Sequence, residues 1–204
     1  MTGARNMTDT INEARGVTEN DGWLTRYYFA RAAFSVLWVG AAFGLAHSGT
    51  AVVAGLLLIY PAWDALANLV DAQHNGGLRR NPTQTFNLGV STATTIAVGI
   101  ALAKSMNAVL GVFGVWAALS GVLQLATAVR RRRRHGGQWP MMLSGVQSAA
   151  AGIGFVLQAN SAEPAQITAI APYAGFGAFY FAIAAVWLVI TAARRRNPMP
   201  PAGA

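Results

Sequence analysis

Six long apolar stretches, joined in turn by arginine-bearing and arginine-poor connections, constrain this chain more than any other feature. They cover approximately residues 28–46, 50–70, 86–103, 108–129, 139–157 and 167–193. A helix needs about 20 mostly apolar residues to cross the hydrocarbon of a bilayer. Lipid-exposed irregular backbone is excluded there, because its N–H and C=O groups would go unpaired. The pattern therefore predicts an all-α fold, a polytopic membrane protein of six transmembrane helices. Composition agrees: 54% of residues are hydrophobic and 11% charged, against roughly a quarter charged in soluble domains. The chain has no cysteine, which excludes disulfides, thiolate catalysis and cysteine-ligated metals.

Arginine placement sets the expected orientation. Arg5, Arg15 and Arg26 precede the first segment, and Arg79 and Arg80 lie between the second and third. Arg130, Arg131, Arg132, Arg133 and Arg134 lie between the fourth and fifth, and Arg194, Arg195 and Arg196 follow the sixth. All thirteen fall on one side, whereas the alternate connections hold only Lys104. Cytoplasmic loops carry the excess of basic residues, so both termini are expected in the cytoplasm. Residues 1–22 are polar, with no signal-peptide pattern. They read as a disordered cytoplasmic tail, residues 23–196 as the membrane domain, and 197–204 as a second disordered cytoplasmic tail. The Arg130–Arg134 run reads as a loop facing anionic lipid head groups rather than nucleic acid, and Trp23 and Trp139 as interfacial anchors.

Similar residue patterns recur along the chain. Asp64-Ala65-x-x-Asn68 matches Ser120-Gly121-x-x-Gln124, and Thr127-Ala128 aligns with Thr191-Ala192. The odd-numbered segments give Arg31-Ala32-x-x-Ser35, Leu88-Gly89-x-x-Thr92 and Ser144-Gly145-x-x-Ser148. Three repeated helical hairpins account for these matches. Gly40 and Gly44, Ser91, Thr95 and Gly99, and Ser144, Ser148 and Gly152 form small-residue stripes of the kind that lets membrane helices pack closely. The odd helices are thus expected to pack centrally or against a second copy, in a homodimer or larger membrane complex.

The stretch Gly114-Val-Trp116-Ala-Ala-Leu-Ser120-Gly121-Val-Leu-Gln124-Leu, then the arginine run, then Gln138-Trp139-Pro-Met-Met-Leu-Ser144-Gly145, resembles HdeD-type bacterial membrane proteins. The resemblance is best over residues 108–157. It implies six membrane helices built from short repeats, in a bacterial cytoplasmic (inner) membrane, and a link to envelope or acid-stress tolerance. Tyr60-Pro61-Ala-Trp63-Asp64 is more distinctive than the generic repeat and points to a subfamily.

Ionisable residues inside a span are costly and mark function by default. Arg31 and Asp64 lie at matching depths on neighbouring antiparallel segments and are expected to pair, either as a structural bond or as a switch. Asn68 shares the Asp64 face, and Gln124 and Gln147 lie at similar depth. Two readings of this group stay open: a polar cluster open to the cytoplasm, or hydrogen bonds between helices. Pro61 either breaks the second helix, freeing carbonyls for a substrate, or makes a kink that a neighbour fills. Asp71 and His74 are expected at the loop edge. No metal site, cofactor or catalytic residue is expected, since no spanning segment holds a histidine to serve a serine. The expected function is a non-enzymatic membrane protein; the alternative is a small proton-coupled transporter or permease with Asp64 as titrating group.

Overall fold

A computed structural model describes residues 2–133 and 138–196, with backbone alone for 2–21 and 196. Among the described residues the fold is all-helical: α1 (Thr2–Gly44), α2 (Thr50–His74), α3 (Pro82–Leu102), α4 (Met106–Arg131), α5 (Gln138–Gln158) and α6 (Ile167–Arg196), with one short 3-10 turn at Leu78–Arg80. Five of the six, α2 to α6, are long and apolar enough to cross a membrane. The chain is thus a multi-pass, membrane-type helical protein.

The expected segments coincide with the helices, with two differences. The lead-in expected as a disordered tail is helical from Thr2, in one piece with the apolar part of α1. Extending an existing helix needs no new nucleation, so a polar segment can continue what the apolar one starts. Residues 197–204, Arg134 and His135 lie outside the described residues. The second difference is α2, which runs one turn beyond its apolar stretch and takes Asp71 inside the helix.

Each helix packs on its neighbours in sequence, and α6 returns to α1, so the six close into a ring. The tightest crossing is α4 on α5. A Cβ built on Gly121 would lie 2.6 Å from the backbone of Gly145 and Ala149, and one on Gly152 would lie 2.5 Å from the backbone of Gly114 and Ala118. Only glycine permits that approach. At the other extreme, α1 and α2 keep their backbones apart and bridge the seam with large side chains. Phe34 stacks on Trp63 at 4.5 Å, Trp23 on His74 at 4.0 Å, and Trp38 meets Tyr60 at 4.6 Å. His74, expected in solvent, thus has an aromatic partner.

Gly40 and Gly44 do not join in this packing. Nothing lies within 4 Å of a Cβ built on either, because the buried face of α1 is the one bearing Ala32, Ser35, Trp38 and Ala42. The stripe thus faces away from the other helices.

Helix α2 continues through Pro61, which is fully buried. Trp38 Nε1 donates to the Leu56 carbonyl in the preceding turn at 2.7 Å. The neighbour fills the opened turn, and the helix is not broken.

The ring interior is divided along its axis. Towards the end holding Lys104 it is filled by Trp38, Leu57, Val98, Leu110, Phe113, Ile167 and Ile170. Asn107 ties that end to the α5–α6 connection, donating to the carbonyls of Ser161 and Glu163 at 2.9 and 3.1 Å. Towards the arginine-rich end the centre holds polar side chains instead.

Candidate functional site

The polar half of the ring encloses a cavity of about 120 Å³, reached by side chains from all six helices. Its floor is aromatic. Tyr60, Trp116 and Tyr173, from α2, α4 and α6, meet edge to face, with ring centres 5.7 Å apart for the first pair and 6.3 Å for the second. Each is held by a serine on the helix before it: Ser35 bonds Tyr60, Ser91 Oγ accepts from Trp116 Nε1 at 3.0 Å, and Ser148 Oγ shares a hydrogen bond of 2.9 Å with the Tyr173 hydroxyl. In every case the serine precedes its aromatic partner by 25 residues. This trio separates the cavity from the apolar filling beyond it.

The expected Arg31–Asp64 pair is present, with NH2 of Arg31 on Oδ1 of Asp64. Asp64 Oδ2 accepts three more hydrogen bonds, from Ser91 Oγ at 2.7 Å, Asn68 Nδ2 at 3.1 Å and Asn87 Nδ2 at 3.3 Å. Arg31 also donates to the Tyr27 hydroxyl at 3.1 Å and lies over the Phe181 ring at 4.5 Å. Desolvating two ions costs several kcal/mol each unless their remaining hydrogen-bond capacity is met. Here that demand recruits residues from four helices.

A second ion pair lines the same cavity. Asp71, 3% exposed, accepts from Arg131 NH2 at 2.7 Å, from Gln84 Nε2 at 3.3 Å and, at its other oxygen, from Asn75 Nδ2 at 2.9 Å. This corrects the expectation that Asp71 sits at the loop edge. It also corrects the reading of the whole arginine run as facing lipid head groups. Asp71 and Arg131 occupy the last turns of α2 and α4, where a residue facing the ring centre turns inward. Arg130 bonds the Thr83 hydroxyl on the exposed surface, and Arg132 and Arg133 are exposed. The connection beyond Asp71 is held by Gly76 and Gly77, at φ +93° and +91°, where a side chain would be strained. Asn81 crosses it with bonds to the carbonyls of Asn75 and Gly77, both 2.9 Å.

Of the other expected residues, Asn68, Gln124, Gln147, Ser144 and Ser148 all line the cavity. Gln124 also donates to the Met141 carbonyl at 3.3 Å. Gly152 serves packing rather than the site. Sequence reasoning missed Gln84, Asn87, Arg131 and the aromatic trio. On α3 it singled out Leu88 and Thr92. Ser91 is fully buried and Thr92 exposed, so the inward face is Asn87 and Ser91, one residue earlier. The signal was the constant 25-residue step from serine to aromatic.

Three buried side-chain atoms around the cavity have no hydrogen-bond partner: Gln84 Oε1, Asn87 Oδ1 and Ser120 Oγ. Buried polar atoms are normally satisfied. Among the described residues no group of three or more acidic or histidine side chains is placed to hold a metal.

Residues 90–157 match the family model of a short repeat of unknown function, DUF308. The match covers the α4–α5 crossing, including Gly121 and Gly145 in full, and stops before α6. No curated protein and no solved structure matches the chain.

Proposed function

We propose that this is a non-enzymatic, multi-pass inner-membrane protein of the bacterial type that binds a small polar solute in the ring and passes it as a permease. The cavity carries the reading: a polar chamber at membrane depth, lined from six helices, with both buried ion pairs in its wall. Intramembrane ionisable groups line solute pathways far more often than lipid-facing surface.

In this reading α1 is the sixth span, through its apolar part packed between α2 and α6. The arginine-rich end is cytoplasmic, so the chamber faces the cytoplasm and its aromatic floor is the closed outer gate. Three copies of a helical hairpin build the ring. The copies are spaced by 56 and 57 residues, relating Ser35, Ser91 and Ser148, and also Tyr60, Trp116 and Tyr173. That register supports Ala128 with Ala185, both buried, rather than Ala128 with Ala192. Charge occupies mainly the first copy: Asp64 becomes Ser120 and then Gly177. Repetition makes the scaffold, and its breaking makes the site.

Asp64 acts here as a fixed counter-charge rather than as the titrating group of a proton-coupled carrier. Protonating it would weaken four hydrogen bonds at once. A homodimer or larger complex would use the outward face of α1 at Gly40 and Gly44, and the exposed arginines would meet anionic lipid. A role in envelope or acid-stress tolerance, implied by the HdeD-type resemblance, is compatible with solute passage.

The test is stopped-flow light scattering of proteoliposomes facing inward gradients of glycerol, urea, guanidinium chloride or sodium acetate. Re-swelling faster than protein-free vesicles for at least one solute is expected. Equal rates for all four would overturn the permease reading.

A further inference from the structure

The unpartnered amides of α3 specify what the chamber holds. Gln84 and Asn87 are 4% and 8% exposed. Each turns its amide N–H₂ towards an aspartate, Gln84 to Asp71 and Asn87 to Asp64. The opposite orientation would set a carbonyl against a carboxylate, so the aspartates fix which atom is left over. In both residues it is the carbonyl oxygen, an acceptor. The two residues are three apart on one helix, which sets them about 4.5 Å apart along its axis.

The remaining chemistry narrows the occupant. The chamber wall holds Arg31, Arg131, Asp64 and Asp71, each arginine already bonded to one aspartate. The wall is electrically balanced and has no uncommitted counter-ion for a charged guest. Its volume, about 120 Å³, is slightly below the roughly 150 Å³ of a cavity known to admit benzene. That limits the guest to about six non-hydrogen atoms. The faces of Tyr60, Trp116 and Tyr173 supply apolar contact on one side.

Resting on the solute-binding reading above, we propose that the chamber is a binding site for a small uncharged molecule with at least two hydrogen-bond donors, of the short polyol or urea class, held across Gln84 Oε1 and Asn87 Oδ1. Ser120 Oγ, the third unpartnered atom, takes a further contact. Specificity comes from the acceptors: a molecule without donors leaves both buried oxygens unpaired, which is what polar sites discriminate against most strongly.

The test uses the full-length chain in lipid nanodiscs, labelled with ¹⁵N in glutamine and asparagine side chains. The Gln84 and Asn87 amide resonances, assigned by Gln84→Met and Asn87→Leu, are followed through titrations with glycerol, urea and guanidinium chloride at millimolar concentrations. Guanidinium matches urea in shape and donors but carries a charge. Both resonances are expected to shift saturably with glycerol and with urea, each competing with the other, and guanidinium to bind about tenfold or more weakly. Each variant that folds by circular dichroism should bind about tenfold more weakly, the loss of one hydrogen bond of ordinary net strength.

Guanidinium binding as well as urea would overturn the uncharged class. Absence of saturable shifts in folded wild type would overturn the site, leaving water as the partner of these oxygens. Full-strength binding by a folded variant would overturn the assignment to its residue, and the wild-type titrations decide the matter if a variant does not fold. Binding without vesicle flux would sink the permease reading and leave the site standing; flux of ions alone, with no amide shifts, would do the reverse.

Discussion

Asp64→Asn is isosteric, yet the structure makes it one of the most damaging single changes available to this chain. The wild-type carboxylate presents Oδ1 to Arg31 and Oδ2 to three donors, Asn68, Asn87 and Ser91. An asparagine has one oxygen. If it faces Arg31, an N–H₂ group confronts the three donors; if it faces the donors, that group confronts a guanidinium. Removing one partner from a buried ion pair costs about 3–5 kcal/mol. Each donor left unsatisfied adds about 1–3 kcal/mol. Arg31 keeps the Tyr27 hydroxyl and the Phe181 ring as secondary partners, and its side chain is 15% exposed. The expected loss is therefore about 4 kcal/mol rather than the full sum. The double variant Arg31→Met/Asp64→Leu removes both charges and leaves only neutral donors unmet. Its expected loss is about 2 kcal/mol, less than that of the single change. Reversible unfolding of the full chain in mixed micelles, by SDS titration with far-UV circular dichroism, measures both. A double variant no more stable than Asp64→Asn would refute the idea that an orphaned charge dominates the cost.

The second ion pair separates the arginines of the run. Arg131→Ala should cost about 3 kcal/mol by stranding Asp71, whereas Arg132→Ala should stay within about 0.5 kcal/mol; the same unfolding titration reads both, and equal effects would place Arg131 in the head-group region after all. Gly152→Ala and Gly40→Ala make a matched pair for packing. Each gains about 1 kcal/mol of helix propensity. At Gly152 the new methyl meets backbone at 2.5 Å and at Gly40 nothing within 4 Å, so an overpacking cost of about 3 kcal/mol is expected at Gly152 alone. Indistinguishable midpoints for the two variants would argue against the α4–α5 crossing.

Hydropathy and arginine spacing were enough to outline the helices, because hydrocarbon imposes a minimum apolar length that any sequence must display. The Arg31–Asp64 pair was legible for a related reason. Two charges at equal depth in consecutive segments have few alternatives to each other. Asp71 and Arg131 carried no such mark. Each lies at the polar end of an apolar run, where a charge that enters the ring and one that meets head groups look alike in sequence.

What the sequence determined by itself was therefore one-dimensional: helical class, approximate spans and which connections share a side. Which face of each helix turns inward was decided only by the tertiary structure. The choice of Ser91 over Thr92 is a single-residue difference, about 100° around the helix, and both residues are small and polar. Ring closure by α6 on α1, the glycine crossing of α4 and α5, and the open seam of α1 and α2 depend on how side chains of different size fit together. Those contacts bring Gln84 and Asn87 to two aspartates on another helix and leave their carbonyl oxygens turned to the chamber. No spacing within α3 alone could have specified that, because the partners that orient these amides lie 13 and 23 residues away along the chain.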